Sequence, residues 1–281
     1  MAMNSDPALC VLIPASNEEA LIGACLGALA RSRGLDGWAE VIVIANGCQD
    51  TTADAARAQA DSFAAKGWML TVIERAEGGK LAALDAGEAR ARSGIRVYLD
   101  ADVTVSPDLV AQLHDVLNTE APRYASGTLR ITAQGWAARA YARIYRQVPF
   151  IRHGVPGCGI FAVNAAGRAR WGAFPQIISD DTFVRLQFAP SERIAVPATY
   201  DWPLVEGLSA LARVRRRQDA GVAEIAARFP ELMRNDDKPT VSAVDKLALA
   251  LRAPLGFAVY SGVALASRLT RHRAQGWSRG R

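Results

Sequence analysis

The sequence predicts an α/β fold: a mainly parallel, Rossmann-like sheet flanked by helices, with a helical C-terminal appendage. Two observations lead to this prediction. Short apolar runs alternate with helix-like segments over the first hundred residues, and helical patterns dominate after residue 200. Alternation at short intervals is typical of parallel sheets, because each parallel connection has to cross a face of the sheet. The 281 residues, half of them hydrophobic, are sufficient for a substantial core.

The first half of the chain predicts four strands separated by helices. Strands are predicted at 9–14, 40–45, 69–74 and 95–99, and the apolar run at 9–14 is expected to be buried. Helices are predicted at 17–30, from residue 51 or 52 to 65, and from the Gly78-Gly79-Lys80 segment to about 92. Polar residues at the helix starts and glycines after the helix ends set these limits.

The pattern loosens in the second half of the chain. Strands are predicted at 124–132, 157–163 and 194–196. Helical segments are predicted at 107–117, 135–150, 183–188, 207–229 and 244–271. The chain shows no internal repeat and no low-complexity linker.

Composition favours a cytoplasmic protein that meets anions. The formal charge is +5, and nearly all of the basic residues are arginine, which favours attraction to phosphates or to an anionic membrane face. The four cysteines have neither zinc-site spacing nor a pairing pattern, so reduced thiols are expected. The first residues lack the basic start and apolar stretch of a signal peptide.

Asp100 and Asp102 follow the predicted fourth strand, in the segment VYLDADVTV that begins at Val97. Burying unpaired carboxylates is costly, so the pair is expected at the sheet edge where ligands bind. Residues two apart on an extended chain point to one side, so both could share one cation. Mg²⁺ and Mn²⁺ prefer oxygen ligands and often complete their shell with substrate phosphate. The alternative is a turn whose acids cap the next helix.

Two polar turns follow other predicted strands. Lys80 comes after two glycines at a helix start, where free N–H groups and the positive helix end favour phosphate. Asn46 and Asp50 follow the second strand, where they could hydrogen-bond a base or ribose. The plainer interpretations are a solvated lysine, an Asn-Gly turn and a helix cap at Asp50.

A second acid pair, Asp180-Asp181, lies in the segment IISDDTFVRL. Adjacent acids point in different directions, so one could face a pocket and take a proton from an incoming hydroxyl. The alternative is a helix N-cap at Ser179 or Asp180. The basic run at 213–218, which includes Arg216, is either a solvated face or a phosphate clamp, since arginine binds phosphate bidentately.

Six segments, in this order, resemble family 2 glycosyltransferases of the GT-A fold. They are VLIPASNEEALIGACL, VIVIANGCQDTTADAA, GGKLAALDAG, VYLDADVTV, GVPGCGIFAVN and ISDDTFVRL, and they span residues 9–188. The resemblance implies a glycosyltransferase domain at 1–200. Its nucleotide-sugar-binding half would be 1–105 and its acceptor-binding half 106–200, followed by a helical region at 201–281.

The resemblance also implies roles for the matching residues. Donor contacts are expected at Pro14, Ala15, Asn17, Glu18, Asn46, Asp50, Lys80, Asp100, Ala101 and Arg216. The metal is expected at Asp100 and Asp102, and the catalytic acid at Asp181 or Asp180. Asn46 departs from the commoner Asp-Asp-Gly-Ser form. The stretch RVRRRQ is only a loose form of the usual Q-x-x-R-W motif, which argues against a processive polysaccharide synthase.

The implied reaction is an inverting transfer of a sugar from a nucleoside-diphosphate sugar to a hydroxyl of a carbohydrate or lipid-linked acceptor, in glycan, exopolysaccharide or glycolipid biosynthesis. Mn²⁺ or Mg²⁺ would neutralise the leaving diphosphate, and the acid pair would deprotonate the acceptor. Nucleic acid is not an expected partner. Two alternatives stay open: a haloacid-dehalogenase-like phosphotransferase with Asp100 as nucleophile, and a non-catalytic nucleotide-sugar-binding domain.

The C-terminal tail contains an uncharged segment, 253–267, flanked by Arg252 and Arg268. It is shorter than the about 20 residues that a spanning helix needs. It is therefore either a helix packed on the domain or an interfacial anchor suited to a lipid-linked acceptor. The second interpretation predicts peripheral contact with the inner membrane surface through 253–281.

Overall fold

The computed structural model describes residues 6–270, which form two compact units. Both units are discontinuous in sequence. Unit 1 comprises residues up to 129, 157–176 and 187–202, and unit 2 comprises 130–156, 177–186 and residues from 203 onward. The sequence division at residue 200 was contiguous, whereas the chain here returns twice to unit 1.

Unit 1 is built on an eight-stranded mixed sheet. Its strands are β1 (Leu9–Ala15), β2 (Ala39–Asn46), β3 (Met69–Arg75), β4 (Arg96–Leu99), β5 (Thr104–Val105), β6 (Tyr124–Thr132), β7 (Ile160–Val163) and β8 (Arg193–Pro203). They lie in the order β3-β2-β1-β4-β7-β6-β8-β5. Pairing among β1–β4 is parallel, whereas β7 runs antiparallel to β4 and β6, and β5 to β8. The predicted α/β class is confirmed.

Twelve helices accompany these strands in the part of the chain that the structure describes. They are α1 (Glu19–Ala30), α2 (Thr52–Arg57), α3 (Ala60–Ala65), α4 (Lys80–Glu88), α5 (Leu109–Leu117), α6 (Gly135–Tyr145), α7 (Pro149–His153), α8 (Ala165–Arg168), α9 (Asp180–Leu186), α10 (Leu208–Arg228), α11 (Ala243–Arg252) and α12 (Pro254–Leu269). Short 3₁₀ turns lie at Pro190–Glu192 and Pro230–Asn235.

The core of unit 1 lies around the parallel strands. Every residue of β2 is buried, as are all but one of β1, because runs of Val, Ile and Leu fill both faces of these strands. Helix α1 covers one face with Ile22, Leu26 and Leu29. The predicted limits of these first strands hold to within one residue. Their carboxyl ends are therefore fixed by a rigid, well-packed layer.

Three predicted helices are divided in the structure. The segment 51–65 forms α2 and α3, the segment 135–150 forms α6 and the start of α7, and the segment 244–271 forms α11 and α12 as far as it is described. Proline accounts for the last two breaks. Pro149 and Pro254 each stand at a helix start, where the missing N–H costs nothing, and each keeps the preceding residue out of the helical region.

Strand β8 is longer than the predicted 194–196. It continues through Pro197, and Val196, Ala198 and Tyr200 are buried while Pro197 is exposed. This alternation over a half-buried strand keeps the proline ring on the solvent side.

Unit 2 is helical and has a small core of its own. Helices α6, α10 and α12 pack around Tyr141, Leu211, Val259 and Val263. The predicted helical C-terminal region is therefore confirmed over the residues described. Within residues 6–270, none of the helices combines the length and apolar content needed to cross a bilayer.

Candidate functional site

The acid pair lies in a turn where β4 ends. The Asp100 N–H donates to the Gly159 carbonyl at 2.8 Å, and the Val103 N–H donates back to the Asp100 carbonyl at 3.1 Å. The extended geometry predicted for this segment is wrong, because the chain turns to bury Val103 in the core. Both carboxylate-bearing residues, Asp100 and Asp102, stay partly exposed. The turn thus presents two carboxylates at the sheet edge.

Gly159 gives this turn its close support. It has a φ of +78°, and a Cβ atom there would lie 2.7 Å from both Trp202 Cδ1 and Val103 Cγ2. A larger residue would have to push this contact apart. Sequence analysis placed Gly159 in a strand and did not identify its role. The neighbouring segment GVPGCG, rich in glycine, was the available signal.

Lys80 reaches the acid pair from the start of α4. Its Nζ lies 2.9 Å from Asp100 Oδ1, and the two side chains are 30% and 36% exposed. The prediction that Lys80 lies at the ligand edge is consistent with this contact. A primary ammonium beside two carboxylates offsets part of their charge and keeps a cation close to the position where a phosphate would meet a bound metal.

Asn46 holds the edge together. Its side-chain Nδ2 donates to the Ala15 carbonyl at 2.9 Å and to the Ile44 carbonyl at 3.2 Å, and its Oδ1 accepts the Gly79 N–H at 2.9 Å. The residue is 3% exposed. One amide therefore links the ends of β1 and β2 to the first residues of α4. A donor contact by this amide stays a prediction.

The loop after β2 touches the glycine segment before α4. Gly47 has a φ of +58°, and a Cβ atom there would lie 2.7 Å from the Gly78 Cα. The Gly47 N–H also donates to the Arg75 carbonyl at 2.9 Å. The two main chains can approach this closely because residue 47 carries no side chain, whereas a Cβ atom at residue 78 would lie at an ordinary 3.9 Å from the Gly47 Cα. The glycine-rich turns after consecutive strands predicted the position of these loops correctly, but they did not predict this contact.

Asp50 acts as a double cap. Its Oδ1 accepts from the Thr52 N–H at 3.1 Å and the Thr52 hydroxyl at 2.5 Å, while Oδ2 accepts the Glu19 N–H at 3.3 Å. Burial acts to raise the pKa of Asp50, but these hydrogen bonds outweigh it and the pKa is lowered. The carboxylate thus supports the starts of α1 and α2. Its expected contact with a donor stays a prediction.

The segment after β1 is tied to the same loop. Asn17 has a φ of +53°, and its Oδ1 accepts the Gln49 N–H at 2.7 Å. The Glu18 N–H donates to the Thr52 hydroxyl at 2.8 Å. Unit 1 therefore gathers ten of the sequence-predicted residues at the carboxyl ends of β1, β2 and β4 and the start of α4: Pro14, Ala15, Asn17, Glu18, Asn46, Asp50, Lys80, Asp100, Ala101 and Asp102.

Cys25 is a neighbour that sequence analysis missed. It is buried on α1, and its Sγ lies 3.8 Å from the Asp100 carbonyl oxygen, to which it donates. Burial raises the pKa of this thiol, and the charges of Asp102 and Asp100 raise it further. The thiol stays protonated, and its hydrogen bond to the Asp100 carbonyl supports the acid turn.

The second acid pair begins helix α9 in unit 2. Asp180 is 6% exposed, and Asp181 is partly exposed. Asp181 Oδ1 accepts the Thr182 N–H at 2.6 Å, and the Phe183 N–H donates to the Ser179 carbonyl at 3.1 Å. The acids therefore occupy the first turn of the helix, where negative charge is favoured.

Arg185, one turn further along α9, is the anchor of this helix. It is 1% exposed; its guanidinium hydrogen-bonds Asp237, lies 3.6 Å from Asp236 Oδ1 and stacks 4.7 Å above the Phe150 ring. The Asn235 side chain donates to the Leu186 carbonyl at 2.9 Å. Sequence analysis did not identify Arg185, although an arginine inside an otherwise apolar helix pattern was the available signal.

Two arginines of the basic run on α10 make contacts within unit 2. Arg215 pairs with Asp219 at 3.0 Å and donates to the Tyr260 hydroxyl at 3.1 Å. Arg216 Nη1 donates to the Thr270 hydroxyl at 2.9 Å. These contacts pack α10 on α12, so part of the run has a structural role. The donor contact expected of Arg216 stays a prediction.

The donor set at Asp100 and Asp102 fits a hard divalent cation that also needs ligands from substrate. Within the residues described, no cluster of three or more His, Cys, Asp or Glu side chains forms a cation site. Mg²⁺ and Mn²⁺ are commonly held by one or two carboxylates together with water and phosphate. Two carboxylates in one turn match that arrangement and do not match an all-protein structural site.

Comparison with known proteins agrees with this geometry. A family model described as "Glycosyl transferase family 2" matches residues 10–167. No curated protein matches the chain. Among solved structures, the mannosyltransferase PcManGT from Pyrobaculum calidifontis, in complex with GDP-Man and Mn²⁺, is similar with a TM-score of 0.69 at 18% identity, covering 97% of this chain and 89% of that one.

Two further structures share the fold. S. aureus TarS 1–349 in complex with UDP-GlcNAc has a TM-score of 0.53 at 11% identity, covering 94% of this chain and 92% of that one. Glucosyl-3-phosphoglycerate synthase from Mycobacterium tuberculosis, in complex with Mn²⁺, UDP and glucosyl-3-phosphoglycerate, has a TM-score of 0.50 at 20% identity, covering 79% and 80%. These likenesses establish the GT-A type fold.

Proposed function

Because this chain belongs to glycosyl transferase family 2 and is a glycosyltransferase, we propose that it transfers a sugar from a nucleoside-diphosphate sugar to an acceptor hydroxyl. The configuration at the anomeric carbon is inverted in the proposed reaction. The observation that supports this most is the meeting of Lys80 with the acid turn at the ends of the parallel strands. A carboxylate pair that can hold a cation, an ammonium and a helix start together suit the binding of a diphosphate.

The donor is proposed to lie along the edge formed by β1, β2 and α4. The solved structures that share the fold hold GDP-Man or UDP-GlcNAc, which supports a nucleotide sugar for this chain too. The base and ribose would meet the loop at 46–50, and the diphosphate would meet Lys80 and the N–H groups that begin α4. Arg216 is proposed as a further phosphate contact.

Asp100 and Asp102 are proposed to hold Mn²⁺ or Mg²⁺. When bound, the cation supplies charge neutralisation to the departing nucleoside diphosphate. Lys80 would then give up part of its pairing with Asp100 and approach the phosphate oxygens. The carboxylates would act on the donor only through the cation that they hold, and they would not exchange protons with the reacting sugar.

Asp181 or Asp180 is proposed as the general base. The acceptor hydroxyl gives its proton to the carboxylate while its oxygen bonds to the anomeric carbon, and the bond from that carbon to the diphosphate oxygen breaks. The nucleoside diphosphate leaves from the opposite face, so configuration inverts. Arg185 keeps α9, and so both acids, in place.

The acceptor is proposed to be a carbohydrate or a lipid-linked compound in cytoplasmic glycan, exopolysaccharide or glycolipid biosynthesis. The family assignment disfavours the phosphotransferase alternative. The acid turn follows the fourth strand, whereas the corresponding loop of those phosphotransferases is expected after the first. A non-catalytic donor-binding domain is the second candidate, and the experiment below separates the two.

Asp181→Asn and Asp180→Asn test the assignment. A panel including GDP-mannose and UDP-N-acetylglucosamine is incubated with Mn²⁺ and candidate acceptors, and released nucleoside diphosphate is measured. The base variant is expected to lose roughly 10²- to 10⁴-fold in turnover while donor affinity is unchanged. Glu231→Gln, at an exposed acid of the same unit, is the matched control. Wild-type turnover in both aspartate variants would overturn the base assignment. Donor binding without release in the unaltered protein would instead indicate a binding domain.

A further inference from the structure

Helix α11 exposes a row of large apolar side chains. Val244, Leu247 and Leu251 are 76%, 61% and 76% exposed, and their spacing of three and four residues puts them on one face of the helix. Every residue of α11 keeps at least part of its surface exposed. Single exposed leucines are ordinary, but an ordered row of them marks an interaction surface.

Helix α12 is packed on one side and exposes apolar side chains on the other. Its packed face carries Gly256, Val259, Val263 and Ser267. The face turned to solvent carries Leu255, Leu265 and Leu269, which are 63%, 58% and 68% exposed. Leu255 follows Leu251 by four residues in sequence, on the other side of the Ala253–Pro254 break. We call this set of residues the leucine surface: Val244, Leu247, Leu251, Leu255, Leu265 and Leu269.

The charge on the two helices of the leucine surface is mainly positive. Lys246, Arg252 and Arg268 lie on α11 and α12 among the exposed residues, and Asp245 is the acid that lies among them. A partner that covers the surface must therefore offer both an apolar layer and negative charge.

An anionic bilayer meets both conditions better than a second copy of the chain does. Two copies joined through this surface would bring together faces on which exposed basic residues outnumber the acid Asp245, which disfavours association. No helix among residues 6–270 can cross a bilayer. Helices with an apolar row and basic flanks instead lie in the headgroup layer, where lipid tails take the leucines and anionic headgroups take the basic residues.

We propose that the leucine surface docks this protein onto an anionic phospholipid bilayer, with α11 and the outer face of α12 lying along it. The contact predicted from sequence covered 253–281, and the exposed row begins earlier, at Val244. The proposal rests on the proposed function only in its consequence: docking would present the enzyme to an acceptor whose lipid part stays in the membrane.

Vesicle flotation of the full chain tests the proposal without donor or metal. Vesicles of phosphatidylcholine alone are compared with vesicles that also contain phosphatidylglycerol. The protein is expected to float with the anionic vesicles and to be released by high salt. The double variant Leu247→Glu/Leu251→Glu is expected to bind on the order of a hundredfold more weakly, since two apolar anchors are lost and two acids are added. Thermal unfolding checks that both proteins fold alike, as expected for such exposed positions.

Leu208→Glu is the matched control, because it makes the same change at a leucine of unit 2 that is 45% exposed on α10. Absence of flotation in the unaltered protein overturns the proposal, as does equal binding by the double variant or equal loss in the control. A dimer that the double variant dissociates, without vesicle binding, assigns the surface to a second copy and also overturns it.

Sugar transfer to a water-soluble acceptor is measured alongside. Transfer without flotation overturns the docking proposal and leaves the proposed function standing. Flotation without transfer to any acceptor supports docking and contradicts the proposed function.

Discussion

Lys80 and Asp100 form an ion pair that binding of the proposed metal and donor would have to open. Their charged atoms lie 2.9 Å apart, and about a third of each side chain is exposed. Solvent screens such a pair, so its contribution is of the order of 1 kcal/mol or less. The pair is therefore weak enough to open and strong enough to hold Lys80 at the acid turn.

Lys80→Met is expected to change metal and donor binding in opposite directions. Without nucleotide, Mn²⁺ should bind roughly three- to fivefold more tightly, because Asp100 loses its competing cation. With Mn²⁺ present, the nucleotide sugar should bind roughly tenfold more weakly, because a phosphate contact is lost. Isothermal titration calorimetry measures both affinities.

Lys66→Met is the control for this prediction. Lys66 belongs to the same unit, where its Nζ donates to the Ser32 carbonyl. It should leave both affinities unchanged. Parallel weakening of metal and donor binding in Lys80→Met would contradict the proposed exchange of partners.

At the residue scale, sequence predicted position better than role. Polar residues after consecutive strands were expected at one edge because parallel strands end together, and the structure places them there. The side-chain bonds could not be predicted. Asn46 binds three main-chain groups, and Asp50 caps two helices, because loops from distant parts of the sequence meet only after folding. Buried Arg185 and its partner Asp237 are 52 residues apart.

Helix α9 is a short element whose stability depends on its neighbours. It spans seven residues, too few to be stable alone in water. Phe183 packs edge-on against Phe229 with ring centroids 5.2 Å apart, and the Ile178 N–H donates to Glu224 Oε2 at 2.8 Å. Together with Arg185, these contacts place the acid pair by means of residues from the helical region after 203.

Arg185→Met is expected to lower the free energy of unfolding by about 2 kcal/mol, since it removes charge-assisted contacts to Asp236 and Asp237, whose carboxylates stay partly solvated. Turnover should fall while the affinity for donor is kept, because the acids lose their fixed position. Urea unfolding and steady-state kinetics measure the two effects.

Arg228→Met is the matched control in the same unit. Arg228 is 44% exposed and pairs with Glu224 one turn away on α10, so the stability change should stay below about 1 kcal/mol. Equal losses of stability in the two variants would show that Arg185 has no special anchoring role.

At the element scale, the apolar runs of β1, β2 and β4 were predictable because strands covered on both faces are apolar nearly throughout, whereas β3, at the edge of the sheet, has no buried residue. The helix breaks at Pro149 and Pro254 were also present in the sequence, since proline starts helices and ends the preceding ones. The division between α2 and α3 had no such signal. Strand β8 was underestimated because Pro197 suggested an end, although the alternation of buried Val196, Ala198 and Tyr200 continues past it.

The whole molecule is expected to be stabilised by its ligands. A donor at one hundred times its dissociation constant adds about 2.7 kcal/mol to the folded state. For a protein of this size, the transition of unit 1 should rise by roughly 5 to 10 °C with Mn²⁺ and donor together. Differential scanning calorimetry measures the shift, and a chelator should remove it.

Asp102→Asn should lose most of this ligand-induced shift, whereas Asp61→Asn, at an exposed acid on α3, should keep it. A shift that persists with chelator, or in Asp102→Asn, would argue against a metal held by the acid turn.

At the scale of the molecule, the order of strands and helices was predictable and the division into units was not. The segments 157–176 and 187–202 return to unit 1 after excursions into unit 2. Such returns depend on pairings between distant strands, for example β4 with β7 and β5 with β8. Local patterns do not encode these pairings.

The closeness of Gly47 to Gly78 limits how this enzyme could be re-engineered. In the segment 46–50, at the end of β2 and in the loop after it, Asn46 and Asp50 make internal side-chain bonds and Gly47 needs a bare backbone. Cys48 is also used, since its Sγ donates to the Ala15 carbonyl at 3.6 Å. A mutagenesis library aimed at the nucleotide preference proposed for this loop would therefore start at Gln49.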